Sequence, residues 1–184
     1  MALTQLDSVA ALVVIDLQKG IVAFPTAQPV GGVINRSVQL AHAFRGRGLP
    51  VVLVNVVSRA PGRTQAGFPK REFPPDWSDL VPELGQHSED YRVTKHHIGA
   101  FIGTSLDEFL RSRGVTQVFM AGVATSVGVE MTGRCAYDCG YNVVYVEDAM
   151  TDMSAEAHLH SVEKVFPRFG EVDTTENVLK ALAG

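Results

Sequence analysis

The chain's 184 residues, 46% of them hydrophobic, are enough for one sizeable core, and no proline- or serine-rich linker divides them, so a single domain spanning 1–184 is expected. Its 16 basic and 20 acidic residues sum to a formal charge of −4, which leaves no basic stripe for nucleic acid or an anionic membrane surface and points to a small-molecule substrate. No apolar run approaches the ~20 residues that cross a bilayer, and the first residues, MALTQLDS, lack the charged and apolar regions of a secretory signal. The expectation is a cytoplasmic protein with no nucleic-acid or membrane partner.

Residues 10–15, AALVVI, form a continuous apolar run closed by Asp16, as suits a parallel strand covered on both faces. Ile34, Val38, Ala41 and Phe44 follow at helical spacing, Gly46 and Gly48 are placed to end that helix, and LPVVLVNVV at 49–57 is the next buried run. Together they make one βαβ unit. Residues 58–90 are rich in proline, glycine and charge and read as a long surface excursion, with Phe73 and Trp77 as its covering groups. A short strand at 91–95 precedes a helix capped by Thr104, with Asp107 in its first turn and Gly114 at its end.

TQVFMAG at 116–122 and YNVVYVEDA at 141–149 read as buried strands on either side of a helix from about 126 to 139, closed by Gly140. The last segment holds a helix near 155–165, a short strand around 169–172 and a helix from Thr175, whose capping box lacks an acid because Val178 stands there. This βαβα alternation predicts an α/β fold, a mostly parallel sheet with helices on both faces, and a site at the carboxyl ends of the strands.

Three features fall at those strand ends: Asp16, Lys95, and the turn GVATSVG at 122–128. An acid and a base converging on one crevice would tune each other's protonation. From spacing alone, an aspartate at a strand end is equally an ordinary turn residue, and a lone lysine is more often solvated.

VVIDLQKGI at 13–21, TKHHIGAF at 94–101 and GVATSVGVEMTGRCAYDCGYNVVYVEDAMTD at 122–152, in this order, resemble the isochorismatase-like hydrolases, a superfamily that includes nicotinamidases, other cysteine amidases and isochorismatases. The resemblance covers residues 8 to 170. It implies a Rossmann-like three-layer sandwich with a six-stranded sheet, a catalytic aspartate at Asp16 and lysine at Lys95, a non-proline cis peptide from Val123 to Ala124, and a homo-oligomer, dimer or tetramer. In the amidase branch the nucleophilic cysteine follows two variable residues after glycine, an apolar residue, alanine and threonine. On this chain Gly122, Val123, Ala124, Thr125, Ser126 and Val127 match, and the cysteine position holds Gly128.

Cys135 and Cys139 cannot replace that thiol: even Cys135 lies about 10 Å further along the helix axis, and buried, inert thiols are expected. Ser126 is a candidate substitute nucleophile or substrate ligand. A glycine in this position also occurs among isochorismatases, which cleave a vinyl ether without a covalent nucleophile. Asp16 would then protonate the enol carbon, which asks for a raised pKa, Lys95 would hold acid and substrate, and backbone N–H groups of Ala124 and Gly128 would bind an anion. GVATS itself is closer to the amidase branch than the GVYAH turn usual in isochorismatases.

Nicotinamidases carry an aspartate and histidines after the second strand, whereas residues 55–68, NVVSRAPGRTQAGF, contain neither; no metal and no cofactor are expected. His96 and His97, adjacent on a strand, point to opposite faces and cannot share one ion, though His96 is a candidate substrate ligand. His158 and His160 are expected to be solvated, Arg59 and Arg63 are loop arginines able to meet a carboxylate, and Asp148 is expected to fix a turn. The reading is a hydrolase of a small molecule that works through Asp16 and Lys95 without a cysteine nucleophile, with acid-assisted vinyl ether hydrolysis as one such reaction. The alternatives are an amidase using water or Ser126, and a catalytically inactive relative that binds a metabolite.

Overall fold

Six apolar runs become six strands. In the computed structural model, which describes residues 3–58, 60–65, 73–85 and 87–184, they are β1 (Ala10–Ile15), β2 (Val51–Val56), β3 (Tyr91–Lys95), β4 (Gln117–Val123), β5 (Asn142–Thr151) and β6 (Glu171–Asp173). Every pairing among them is parallel, in the order β3-β2-β1-β4-β5-β6, so the sheet is wholly rather than mostly parallel. The chain runs outward from β1 to one edge, then returns to the centre and builds toward the other. This leaves the carboxyl end of β1 at the reversal of strand order, where doubly wound sheets bind ligands.

The period-2 alternation of the strands divides the core into two. Leu12, Val14, Leu53, Phe119 and Val144 pack beneath α2 (Val30–Gly46), following the short α1 (Lys19–Val22), and beneath α6 (Thr175–Ala183). Val13, Ile15, Val52, Met120 and Tyr145 pack on the other face, against α3 (Leu106–Ser112), the segment of α4 (Glu130–Asp138), and Val162 and Phe166 beyond α5 (Ala155–His160). The result is the expected three-layer α/β sandwich. The helices predicted at about 126–139 and 155–165 are each two-part: a π turn, Thr125–Val129, opens into α4, and α5 runs on into another, Ser161–Val165.

Local chemistry explains the boundaries. The N-cap of α3 is Ser105, one residue later than the expected Thr104, whose hydroxyl nonetheless accepts from the Leu106 N–H at 3.3 Å. At α6 the cap is Thr174, one residue earlier than expected: its hydroxyl accepts from Asn177, while Thr175 uses its own N–H and hydroxyl on Asp148. Asp148 also pairs with Arg36 at 3.1 Å, so it ties β5, α6 and α2 together, the turn-fixing role anticipated for it. Gly122 faces Ile15 across the β1–β4 seam at φ +116°, and a Cβ there would lie 2.0 Å from the Ile15 carbonyl oxygen.

β3 is an edge strand, and its entry is pinned by Asp90, whose carboxylate accepts from both Nε and an Nη of Arg45 at 3.0 and 2.7 Å. The Asp90 side chain is only 2% exposed. Arg45→Met would strand it without its cation, and we expect a loss of about 2–4 kcal/mol in urea denaturation.

Candidate active site

The backbone of β1 ends abruptly. Asp16 still donates its N–H to the Val54 carbonyl, but its own φ is +51°, a left-handed conformation that aspartate and asparagine tolerate better than other side chains. The chain therefore turns out of the sheet just where the carboxylate is presented. Two residues on, Gln18 is fully buried. Its Oε1 accepts from Val56 N–H at 2.8 Å and its Nε2 donates to the carbonyls of Val56 and Trp77, at 3.0 and 3.2 Å. That one amide joins the ends of β1 and β2 to the segment 77–81, which also bonds along 17–20 through Gly20 to Trp77, Lys19 to Asp79, and Val81 to Leu17. The Trp77 ring lies directly over Gly20 and 4.3 Å from the ring of Phe73, so the predicted covering groups do pack together beside this strand end.

Lys95, the last residue of β3, crosses the end of β2 to meet Asp16. Its Nζ is 2.8 Å from Asp16 Oδ2 and donates to the carbonyls of Ile98 and His97 at 2.9 and 3.4 Å. Asp16 and Lys95 are 5% and 2% exposed. Asp16 Oδ1 is buried and has no hydrogen-bond partner among the described residues. Burial pushes the Asp16 carboxyl up to about 6, against the opposing pull of Lys95. A carboxyl in that range exchanges its proton near neutrality, the property a general acid needs.

Gly128 completes this group. A Cβ on it would stand 3.2 Å from Asp16 Oδ2, 3.1 Å from Ile15 Cγ2 and 3.6 Å from the Val123 carbonyl oxygen, so a side chain at this position would project beside the acid. Val123 and Ala124 form the floor of the turn, both buried and joined by a cis peptide, as the resemblance implied. Ser126 is half-buried; its N–H and hydroxyl both donate to Asp152 Oδ2 at 2.8 Å. That engagement orients the hydroxyl toward β5.

The structure gathers Asp16, Lys95, Val123 and Gly128, while His96 stands apart: it is exposed and its Nδ1 lies 2.8 Å from Ser58 Oγ. Arg63 is exposed, and Arg59 lies outside the described residues. Cys135 and Cys139 are free and half-buried rather than buried, with burial pushing both thiols up; such thiols are poor nucleophiles at neutral pH. Among the described residues no three His, Cys, Asp or Glu side chains converge as a metal-ligand set, and no helix is long and apolar enough to cross a membrane.

One expectation about a polar residue is revised, and a second polar residue joins the site. His158, expected in solvent, is buried at 6% exposure with Nδ1 2.8 Å from Thr125 Oγ1; only His160 is exposed. The signal was available in the spacing, since His158, Ser161 and Val162 share one helical face and all are buried. Thr132 was not singled out at all. Fully buried, it donates to the Gly128 carbonyl at 2.6 Å and accepts from Ala100 N–H at 3.1 Å. It thereby fastens the turn at Gly128 to the loop whose carbonyls hold Lys95.

Comparison with known proteins places this geometry in context. The isochorismatase domain model matches residues 10–177. The uncharacterized isochorismatase family protein YwoC of Bacillus subtilis is 40% identical over 177 residues, 92% of each chain. An isochorismatase family protein of Burkholderia thailandensis has a structure that superposes with a TM-score of 0.93 at 41% identity, over 97% of this chain and 98% of that one. The N-carbamoylsarcosine amidase of Thermoplasma acidophilum superposes at 0.76 with 26% identity, over 91% and 97%.

Proposed function

This chain belongs to the isochorismatase family of hydrolases, and from that premise we propose that it hydrolyses a small molecule by acid assistance from Asp16, without a covalent enzyme intermediate. One observation carries the reading: a buried carboxyl, held near pH 6, lies beside a glycine where a thiol would otherwise stand.

A vinyl ether suits such a site. Protonated Asp16 delivers its proton to the enol carbon, and the electron pair of the C=C bond forms the new C–H bond. Water adds to the resulting oxocarbenium carbon and gives its proton back to the Asp16 carboxylate. The hemiketal then collapses to a ketone and an alcohol, and the acid is restored. Lys95 keeps the carboxyl oriented and balances its charge while the proton is away, and the rigid turn at Val123, Ala124 and Gly128 shields the cation from bulk water. Ser126, whose N–H and hydroxyl are taken by Asp152, and His96, beside Ser58, have no part in this step. The test is a mass-spectrometric turnover screen on isochorismate and a panel of small amides, with pyruvate release from isochorismate expected; amide turnover alone would overturn the vinyl ether assignment.

The likeness to an amidase structure favours a second reading, hydrolysis of a C–N bond by water at the same acid. In that case Gly128→Cys should gain activity on simple amides that iodoacetamide abolishes, since the new Cβ needs only a few tenths of an ångström from the Ile15 methyl. No gain across the amide panel counts against it.

A further inference from the structure

The turn that walls Asp16 is held from a direction the proposed chemistry does not use. Asp152, at the end of β5, takes the N–H and hydroxyl of Ser126 on Oδ2, and the N–H of Ser154 on Oδ1 at 3.3 Å. Ser154 caps α5 by accepting from Ala157 N–H, so one buried carboxylate sets both the turn after β4 and the start of α5. One turn into α5, His158 reaches back to Thr125, which has no exposed surface. Thr125 begins the π turn that contains Gly128, where a Cβ would stand 3.2 Å from Asp16 Oδ2.

We propose that His158 is a positioning residue of this site: through its hydrogen bond to Thr125 it holds the turn 124–128 against Asp16 and keeps water from the carboxyl. His158 touches no reacting atom. Burial pulls its imidazole below the ordinary range, against the opposing charges of Asp152 and Glu147, so the ring is neutral at pH 7 and one of its nitrogens is free to accept. Loosening the turn admits water to a carboxyl whose raised midpoint comes mainly from exclusion of water, and that midpoint must fall.

The inference deepens the reading of Asp16 as the acid, yet its test needs no substrate. The full chain is labelled with carboxyl-13C aspartate, and the Asp16 signal, identified by its loss in Asp16→Asn, is titrated by NMR. His158→Ala is expected to lower the Asp16 midpoint by about one unit or more, and His158→Asn, whose amide occupies the place of Nδ1, to restore it. Thr125→Val removes the same bond from the other end and is expected to reproduce the shift, so the result does not depend on one variant folding. A raised wild-type midpoint that ignores both His158→Ala and Thr125→Val, with only the melting temperature lowered, assigns His158 to packing and overturns this proposal alone. A wild-type midpoint near about 4, the ordinary carboxyl value, overturns the acid reading as well.

Discussion

Asp16→Asn is expected to lower turnover of whichever substrate the screen identifies by about 10²–10⁴-fold, the range in which a positioned acid contributes. Asparagine is the informative replacement because it tolerates the left-handed φ of +51° that alanine resists, and its amide oxygen can still accept from Lys95. Loss of activity with an unchanged circular dichroism spectrum therefore reports chemistry. The wild-type pH profile gives the sign. As an acid with its midpoint at about 6, Asp16 is active when protonated, so kcat/KM should be level below that pH and fall about tenfold per unit above it. A base at the same residue would give the mirror profile, rising about tenfold per unit below pH 6 and level above it. Full activity in the asparagine variant ends the acid hypothesis outright.

The same midpoint has a consequence for stability. The folded-state value, about 6, lies above the 3.8 of an ordinary aspartate, so the folded chain holds this proton more tightly than the unfolded one. The contribution of Asp16 is complete below pH 3.8 and lost as pH rises through 6. Burying the charged form is a cost that the site carries at neutral pH, partly offset by Lys95.

Gly122→Ala should damage the fold more than any substitution at the acid. A Cβ there would sit 2.0 Å from the Ile15 carbonyl oxygen and 2.7 Å from the Ile15 nitrogen, both backbone atoms of the central strand, and φ is +116°. Neither clash is relieved by turning a side chain, and the glycine-only backbone conformation adds its own strain. The expected loss is on the order of 4 kcal/mol or more, seen as a large fall in the urea midpoint or as insoluble protein. Gly114→Ala is the control: φ is +68° but nothing lies near its Cβ position, so the loss should be only about 1–2 kcal/mol.

Much of this architecture is written locally. AALVVI and VVLVNV can be read as buried strands because a parallel strand covered on both faces is apolar at every position, and the glycines at 48, 114 and 140 mark ends because each adopts positive φ. The strand order is not written locally, since pairing β1 with β4 joins residues more than a hundred positions apart. Asp16, Lys95 and Gly128 stand out because they close strands or occupy a familiar turn. Gln18, Thr132 and His158 do not, because their importance lies in hydrogen bonds to segments distant in sequence. The π turn after β4 was also hidden: it depends on the Val129 N–H reaching the Ala124 carbonyl, a contact no propensity encodes.

The two members of the charged pair rest on supports of unequal strength. Asp16 hangs from the central strand, with a neighbour on each side, whereas Lys95 ends a five-residue strand at the sheet's edge, paired on one side only. Edge segments open far more often than the centre of a sheet, without the molecule unfolding as a whole. Each such opening would carry Lys95 away from Asp16, so the ion pair at the centre of the sheet is only as durable as the strand at its margin. The Arg45–Asp90 clasp at the beginning of β3 restrains how often that strand opens.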